Sequence, residues 1–148
     1  MFLSTATIIQ QFEQDANILQ WNSFRLDFAT AYENKETIIA IIKNNIPDYK
    51  FQNGLYAIFD GPECLYIGVG RPIWSRIKSH YKAAKGKDSA TRWVQFFSQY
   101  QKPLTIYWKT LDGFEDDRVG DRVRELIEHI LQARYLPLFE EFERQREA

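Results

Sequence analysis

Tyrosine, arginine and histidine recur at close spacing in the middle of this chain. Tyr56 and Tyr66 are ten residues apart, Arg76 follows ten later, and His80 comes four after that. These residue types can move protons and hold anions. Around them runs a basic stripe. Arg71, Arg76, Lys78, Lys82, Lys85, Lys87 and Arg92 lie between Gly70 and Arg92 against one acid, Asp88. A local stripe of this kind can focus a field onto a phosphate backbone, although a solvated helix face is the commoner use of a charge run. The pair Gly68-Val69-Gly70 invites a dinucleotide-binding loop, but the third glycine of that fingerprint would fall on Ile73. The two glycines are expected instead to form a tight strand-to-helix passage that a phosphate can approach.

The elements that must position these residues follow from pattern. Two apolar runs, 55–59 and 65–68, flank the polar turn Asp60-Gly61-Pro62-Glu63, which signals a hairpin. A register centred near Gly61 would set Tyr56 and Tyr66 directly opposite each other on one face. A cross-strand packing pair is the simple use of such tyrosines. A helix is expected from about Pro72 to Lys85, with Ile73, Ile77, Tyr81 and Ala84 as its apolar stripe and Arg76 and His80 bordering it along one edge. A second helix, 89–100, buries Trp93, Phe96, Phe97 and Tyr100. A strand at 104–108 follows, then a turn at Asp112-Gly113. Glu115, Asp116 and Asp117 precede a helix that Pro137 stops, and the charged tail adds a turn or two of helix. Before the hairpin, Trp21, Phe24, Phe28 and Tyr32 recur as a helical stripe, and Ile38 to Ile42 marks a short helix ending before Pro47. The expectation is an α+β fold in two parts. Residues 51–148 carry a three-stranded antiparallel sheet in the order β-β-α-α-β-α. Residues 1–50 form a helical extension packed on that core or on a second subunit, which would make a homodimer.

Composition bounds the possibilities. At 148 residues and 45% hydrophobic content the chain can bury a core. It has no apolar run long enough for a membrane span, and no leader-like N-terminus, so a cytoplasmic protein without a membrane partner is expected. Cys64 is the only cysteine and His80 and His129 the only histidines, which excludes a disulfide and a cysteine zinc cluster. The net charge of −1 argues against a general nucleic-acid binder and leaves the local stripe as the candidate contact.

Gly54-Leu55-Tyr56, Tyr66-Ile67-Gly68 and Arg76 together resemble the GIY-YIG nuclease superfamily. That family carries a carboxylate nine residues before a proline on a later helix, and Glu128 stands nine before Pro137, with Leu131 in the leucine place. The resemblance covers about residues 51–140. Each short motif alone is weak; their joint spacing and the element order give it weight.

The resemblance implies phosphodiester hydrolysis by a divalent-metal-dependent endonuclease of restriction, repair or mobile-element type, with DNA as the expected substrate. One Mg²⁺ or Mn²⁺ would be held by Glu128, an arrangement that suits a cation that keeps most of its waters. By helix geometry alone Glu125 is equally eligible. Arg76 would stabilise charge on the scissile phosphate. Tyr56 and Tyr66 would position and activate water. A free phenol has a pKa of about 10, so ionising it at pH 7 costs about 4 kcal/mol, and Tyr56 needs a base or cation beside it. His80 suits that place, and a structural histidine is the equal alternative. Arg71, Lys78, Lys82, Lys85, Lys87 and Arg92 would contact the nucleic acid. The sequence departs from the family at Val69, where some members have lysine, at Glu140, where asparagine is frequent, and at Gln132. A binding or protein-interaction module without cleavage, and an RNA-directed nuclease, stay open beside the main reading.

Overall fold

Residues 55–59, Leu-Tyr-Ala-Ile-Phe, contain no charged residue, and such a run suits a strand covered on both faces. The structure is a computed structural model that describes residues 10, 15–111 and 117–147. In it four strands, β1 (Asn22–Asp27), β2 (Gly54–Asp60), β3 (Glu63–Gly70) and β4 (Pro103–Thr110), form one antiparallel sheet in the order β1-β4-β2-β3. β2 is an interior strand, and every residue from Gly54 to Phe59 is buried.

The sheet has four strands where three are expected, because residues 22–27 are a strand and not part of a helix. Trp21, Phe24 and Phe28 do fit a helical period. Phe24, Leu26 and Phe28, however, are buried in alternation with exposed Ser23, Arg25 and Asp27, which is the period of a half-buried strand. β1 pairs with β4 from Asn22↔Trp108 to Asp27↔Pro103, satisfying backbone groups that β4 would otherwise leave open. Phe24 and Leu26 therefore enter the same cluster as Tyr56, Ile58 and Ile106.

Among the described residues, five α-helices cover the sheet: α1 (Lys35–Asn45), α2 (Ile73–Ala84), α3 (Thr91–Phe97), α4 (Asp117–Tyr135) and α5 (Leu138–Glu147). One face packs Phe24, Leu26, Tyr56, Ile58, Leu104, Ile106 and Trp108 against Ile38 and Ile42 of α1, Ile73 and Ile77 of α2, Phe97 of α3 and Phe139 of α5. The other packs Leu55, Ala57, Phe59, Cys64 and Ile67 against Ile127 and Leu131 of α4, with Ile18 and Trp21 beside them. Each fully buried aliphatic chain in these layers contributes about 1.5–3 kcal/mol. The tail is a ten-residue helix, longer than its charged sequence suggests, because Phe139 and Phe142 give it an apolar side. The expected turn at Asp112-Gly113 and the acids Glu115 and Asp116 lie outside the described residues. Among the described residues no helix is long and apolar enough to cross a membrane.

Candidate active site

The hairpin decides where the two tyrosines go. Asp60 pairs with Glu63 across a two-residue loop, Gly61-Pro62, whose glycine takes φ 56° as such loops require. Continued without interruption, that register would set Tyr66 opposite Ala57, on the face away from Tyr56. The register shifts between Ile58 and Phe59, so that Leu65 is an extra residue and Tyr66 lies opposite Ile58. Such a bulge returns Tyr66 to the face of Tyr56. The tyrosines are thus diagonal and not directly opposite, for Tyr56 faces Gly68. Their rings stack at 22° with centroids 5.9 Å apart.

Gly68 and Gly70 serve this packing. A Cβ on Gly68 would stand 2.7 Å from Cε1 of Tyr66 and 2.8 Å from the hydroxyl of Tyr56. A Cβ on Gly70 would stand 2.4 Å from Cα of Ile73, the first residue of α2. The glycines therefore admit the Tyr56 phenol and the start of α2, and not an approaching phosphate. Pro72 is the N-cap residue, one position before the first helical turn.

α2 brings Arg76 and His80 over the tyrosines. Its buried residues include Ile73, Ile77, Tyr81 and Ala84, as the period predicts, and His80 as well. The Tyr81 hydroxyl donates to Thr30 O at 2.7 Å, tying the helix to the chain just beyond β1. His80 does not border the apolar stripe but lies inside it. Its Nε2 is 2.6 Å from the Tyr56 hydroxyl, and both side chains are fully buried. Its Nδ1 is buried without a hydrogen-bond partner. Arg76 is exposed. Trp93 from α3 holds both residues. Its ring stacks on His80 at 3.9 Å, and the Arg76 guanidinium carbon lies 4.7 Å from it. Phe139 from α5 closes on Tyr66 at 5.1 Å. Neither contact is marked by any linear spacing.

Electrostatics binds the set together. Burial raises the Tyr56 phenol well above the usual tyrosine range; Tyr66 adds to this, and Arg76 opposes it by charge and by hydrogen bonding. Burial also raises Tyr66, with Arg76 lowering it and Glu128 and Glu140 raising it. Burial, and then Arg76, hold His80 well below its usual range, so the imidazole is neutral. Glu128 on α4 is half-buried. Its carboxyl is raised chiefly by burial; Glu140 and Glu125 add, while His129 and Arg76 oppose. α4 and α5 both pack along β3, which explains how Glu128 and Glu140 come within electrostatic reach of Tyr66. Glu125 is exposed. The structure thus brings Tyr56, Tyr66, Arg76, His80 and Glu128 into one neighbourhood.

Among the described residues no three His, Cys, Asp or Glu side chains converge as a metal cage. Any cation at this site would rest on Glu128, with Glu140 as a second acid and water as the remaining ligands. Cys64 offers no thiolate, since burial pushes its thiol up to about 12. The basic residues spread apart. Arg71 and Lys87 are exposed, and Lys82 is half-exposed. The Lys78 Nζ lies over Trp74, that of Lys85 donates to Gln101, and Arg92 pairs with Glu143 at 2.5 Å. Compared with family models, with curated proteins and with solved structures, the chain finds no match.

Proposed function

We propose that this chain is an endonuclease that hydrolyses phosphodiester bonds of nucleic acid, with DNA as the expected substrate and one Mg²⁺ or Mn²⁺ as cofactor. The observation that carries the reading is that Tyr66, Arg76 and Glu128, from one strand and two helices, lie within electrostatic reach of one another, with Tyr66 stacked on the Tyr56 that bonds His80.

The donor set fits a hard divalent cation. Glu128 is desolvated and crowded by Glu140 and Glu125, and His129 and Arg76 only partly offset its negative charge. Mg²⁺ commonly takes one or two carboxylates and keeps several waters. Bound there, the cation would supply positive charge to phosphate oxygens and acidify water. Arg76, exposed and permanently charged, offsets the extra negative charge as the phosphorus becomes pentavalent. Tyr66 keeps some exposure and orients the attacking water. The water oxygen bonds to phosphorus while the bond to the leaving oxygen breaks. The water's proton enters the chain of phenols at Tyr66, and Tyr56 hands a proton on to Nε2 of His80. The neutral imidazole has its Nε2 lone pair open to that proton, and burial and Arg76 make it a weak base that holds the proton only in passing. The leaving oxygen takes a proton from solvent.

The test is supercoiled plasmid incubated with the full chain in Mg²⁺ or Mn²⁺. Nicking is expected, and Glu128→Ala should lower it by a factor of about 100 or more. Equal nicking by Glu128→Ala would remove the carboxylate from its role. Binding with no cutting in either metal would favour a nucleic-acid-binding module.

A further inference from the structure

A second group of aromatic and cationic side chains lies across α2 from Arg76. Trp74 and Lys78 each stand two residues from Arg76, about 200° around the helix, so they flank its other side. Tyr49 meets Trp74 edge to face, with ring centroids 5.3 Å apart. The Lys43 Nζ stands 5.0 Å from each of these rings, and the Lys78 Nζ stands 4.8 Å from Trp74. Two residues after Tyr49 in the chain, past exposed Lys50, comes Phe51. The residue is 81% exposed, more than any other large apolar residue described.

Phe51 is displayed on a fixed support. The following residue, Gln52, is held three ways. Its carbonyl accepts from Ile73 N at 2.9 Å, its Nε2 donates to Pro47 O at 2.9 Å, and its Oε1 accepts from the Thr110 hydroxyl. The one acid in the turn is Asp48, three residues before the ring. An exposed phenylalanine alone is ordinary. An exposed ring that follows Lys50, and stands two residues after a Tyr49 ring with the Lys43 ammonium 5.0 Å away, suits a particular occupant. An apolar protein surface would have to strip water from the lysines. A nucleotide satisfies both features, since its base has an apolar face and its phosphate is an anion.

We propose that Phe51, with Lys43, Lys50 and Lys78, is a stacking platform for an unpaired base, and that the substrate class therefore contains a single-stranded segment. Bases inside a duplex are stacked on each other and present no face to the ring. A strand crossing the start of α2 can reach Phe51 and Arg76 within a few nucleotides, because a helix with its side chains is only about 10–12 Å wide. The proposal rests on the nuclease reading for what happens at Arg76, but the binding it describes does not require cutting.

The experiment measures fluorescence anisotropy of a labelled mixed-sequence oligonucleotide, single-stranded and as a duplex, in EDTA. The single strand should bind more tightly. Phe51→Ala should weaken single-strand binding about ten-fold and leave the duplex unchanged, and Phe51→Trp should restore it. Lys43→Gln with Lys78→Gln should flatten the dependence of log K on log salt by roughly 1.4 for a single strand. Phe51 is exposed, so its substitutions should leave the thermal midpoint in place. Single-strand binding unchanged in Phe51→Ala, or a preference for duplex, overturns the platform. So does a mass measurement in which Phe51→Ala splits a dimer without altering binding. A cutting arm in Mg²⁺ or Mn²⁺, on plasmid and on the labelled single strand, separates the two ideas. Cutting by the unsubstituted chain with no Phe51 effect sinks the platform alone. Phe51-dependent binding without any cutting supports the platform and sinks the nuclease reading.

Discussion

The Tyr56 hydroxyl and Nε2 of His80 stand 2.6 Å apart, with both side chains sealed from solvent. Burial drives the phenol up and the imidazole down, so both are neutral and share one hydrogen bond. The other imidazole nitrogen, Nδ1, has no hydrogen-bond partner. A buried polar atom left in that state costs about 1–3 kcal/mol. A core chosen for stability alone would hold an apolar side chain there. The cost is understandable if the pair relays a proton without keeping it.

That pair makes stability depend on pH. The folded pKa of His80 lies well below its ordinary value of 6.5, so the unfolded chain takes up a proton that the folded chain refuses. The stabilisation is complete above pH 6.5. It falls as the pH drops below 6.5, by about 1.4 kcal/mol per pH unit, until the folded pKa is reached. Urea unfolding at pH 7.5, 6 and 5 should show this slope, and His80→Asn should flatten it. An equal slope in the variant would place the acid sensitivity elsewhere.

Gly68 is the floor on which the two tyrosines rest, so Gly68→Ala should disturb both. The added methyl would meet Tyr66 at 2.7 Å and the Tyr56 hydroxyl at 2.8 Å. Neither ring can retreat easily. Tyr56 is fully buried, and Tyr66 is packed by Phe139 and Trp93. Overpacking of this kind costs about 1–3 kcal/mol. Denaturant unfolding should show that loss, and plasmid nicking should fall with it because the Tyr56–His80 contact is displaced. Unchanged stability would mean that the tyrosines move freely, contrary to the packing described here.

The elements after Gln52 were legible because their signals are local. The turn Asp60–Glu63, the apolar stripe of α2 and the stop at Pro137 each act over a few residues. β1 reads as helix in the sequence because Phe24 and Phe28 satisfy a helical period as well as an alternating one, and Leu26 between them is what decides. The bulge at Leu65 was not legible at all. It depends on a two-residue loop and on Tyr66 finding room beside Gly68, which are facts about the paired hairpin. In the same way Trp93 reads as an ordinary core aromatic in its own helix. Its contact with Arg76 and His80 exists only once α3 lies against α2.

Glu128 offers a test that separates a metal-holding carboxylate from a solvated one. Its folded carboxyl is raised above the ordinary glutamate value of 4.5, chiefly by burial. The folded chain therefore holds the proton more readily than the unfolded chain, and the charged form costs stability. That cost is absent below about pH 4.5 and grows as the pH rises through the raised value. Glu128→Gln should therefore have a higher thermal midpoint than the unsubstituted chain at pH 7 to 8, with the two converging near pH 4. Mg²⁺ or Mn²⁺ binds only the folded site, so it should raise the midpoint of the unsubstituted chain and leave Glu128→Gln unmoved. Nicking should be lost in the variant although it is the more stable protein. A Glu128→Gln midpoint below that of the unsubstituted chain at pH 8, or an equal rise of both midpoints with the cation, would remove Glu128 from the site. With a Glu128→Gln variant that is stable, unresponsive to the cation and inactive, loss of cutting cannot be blamed on loss of fold.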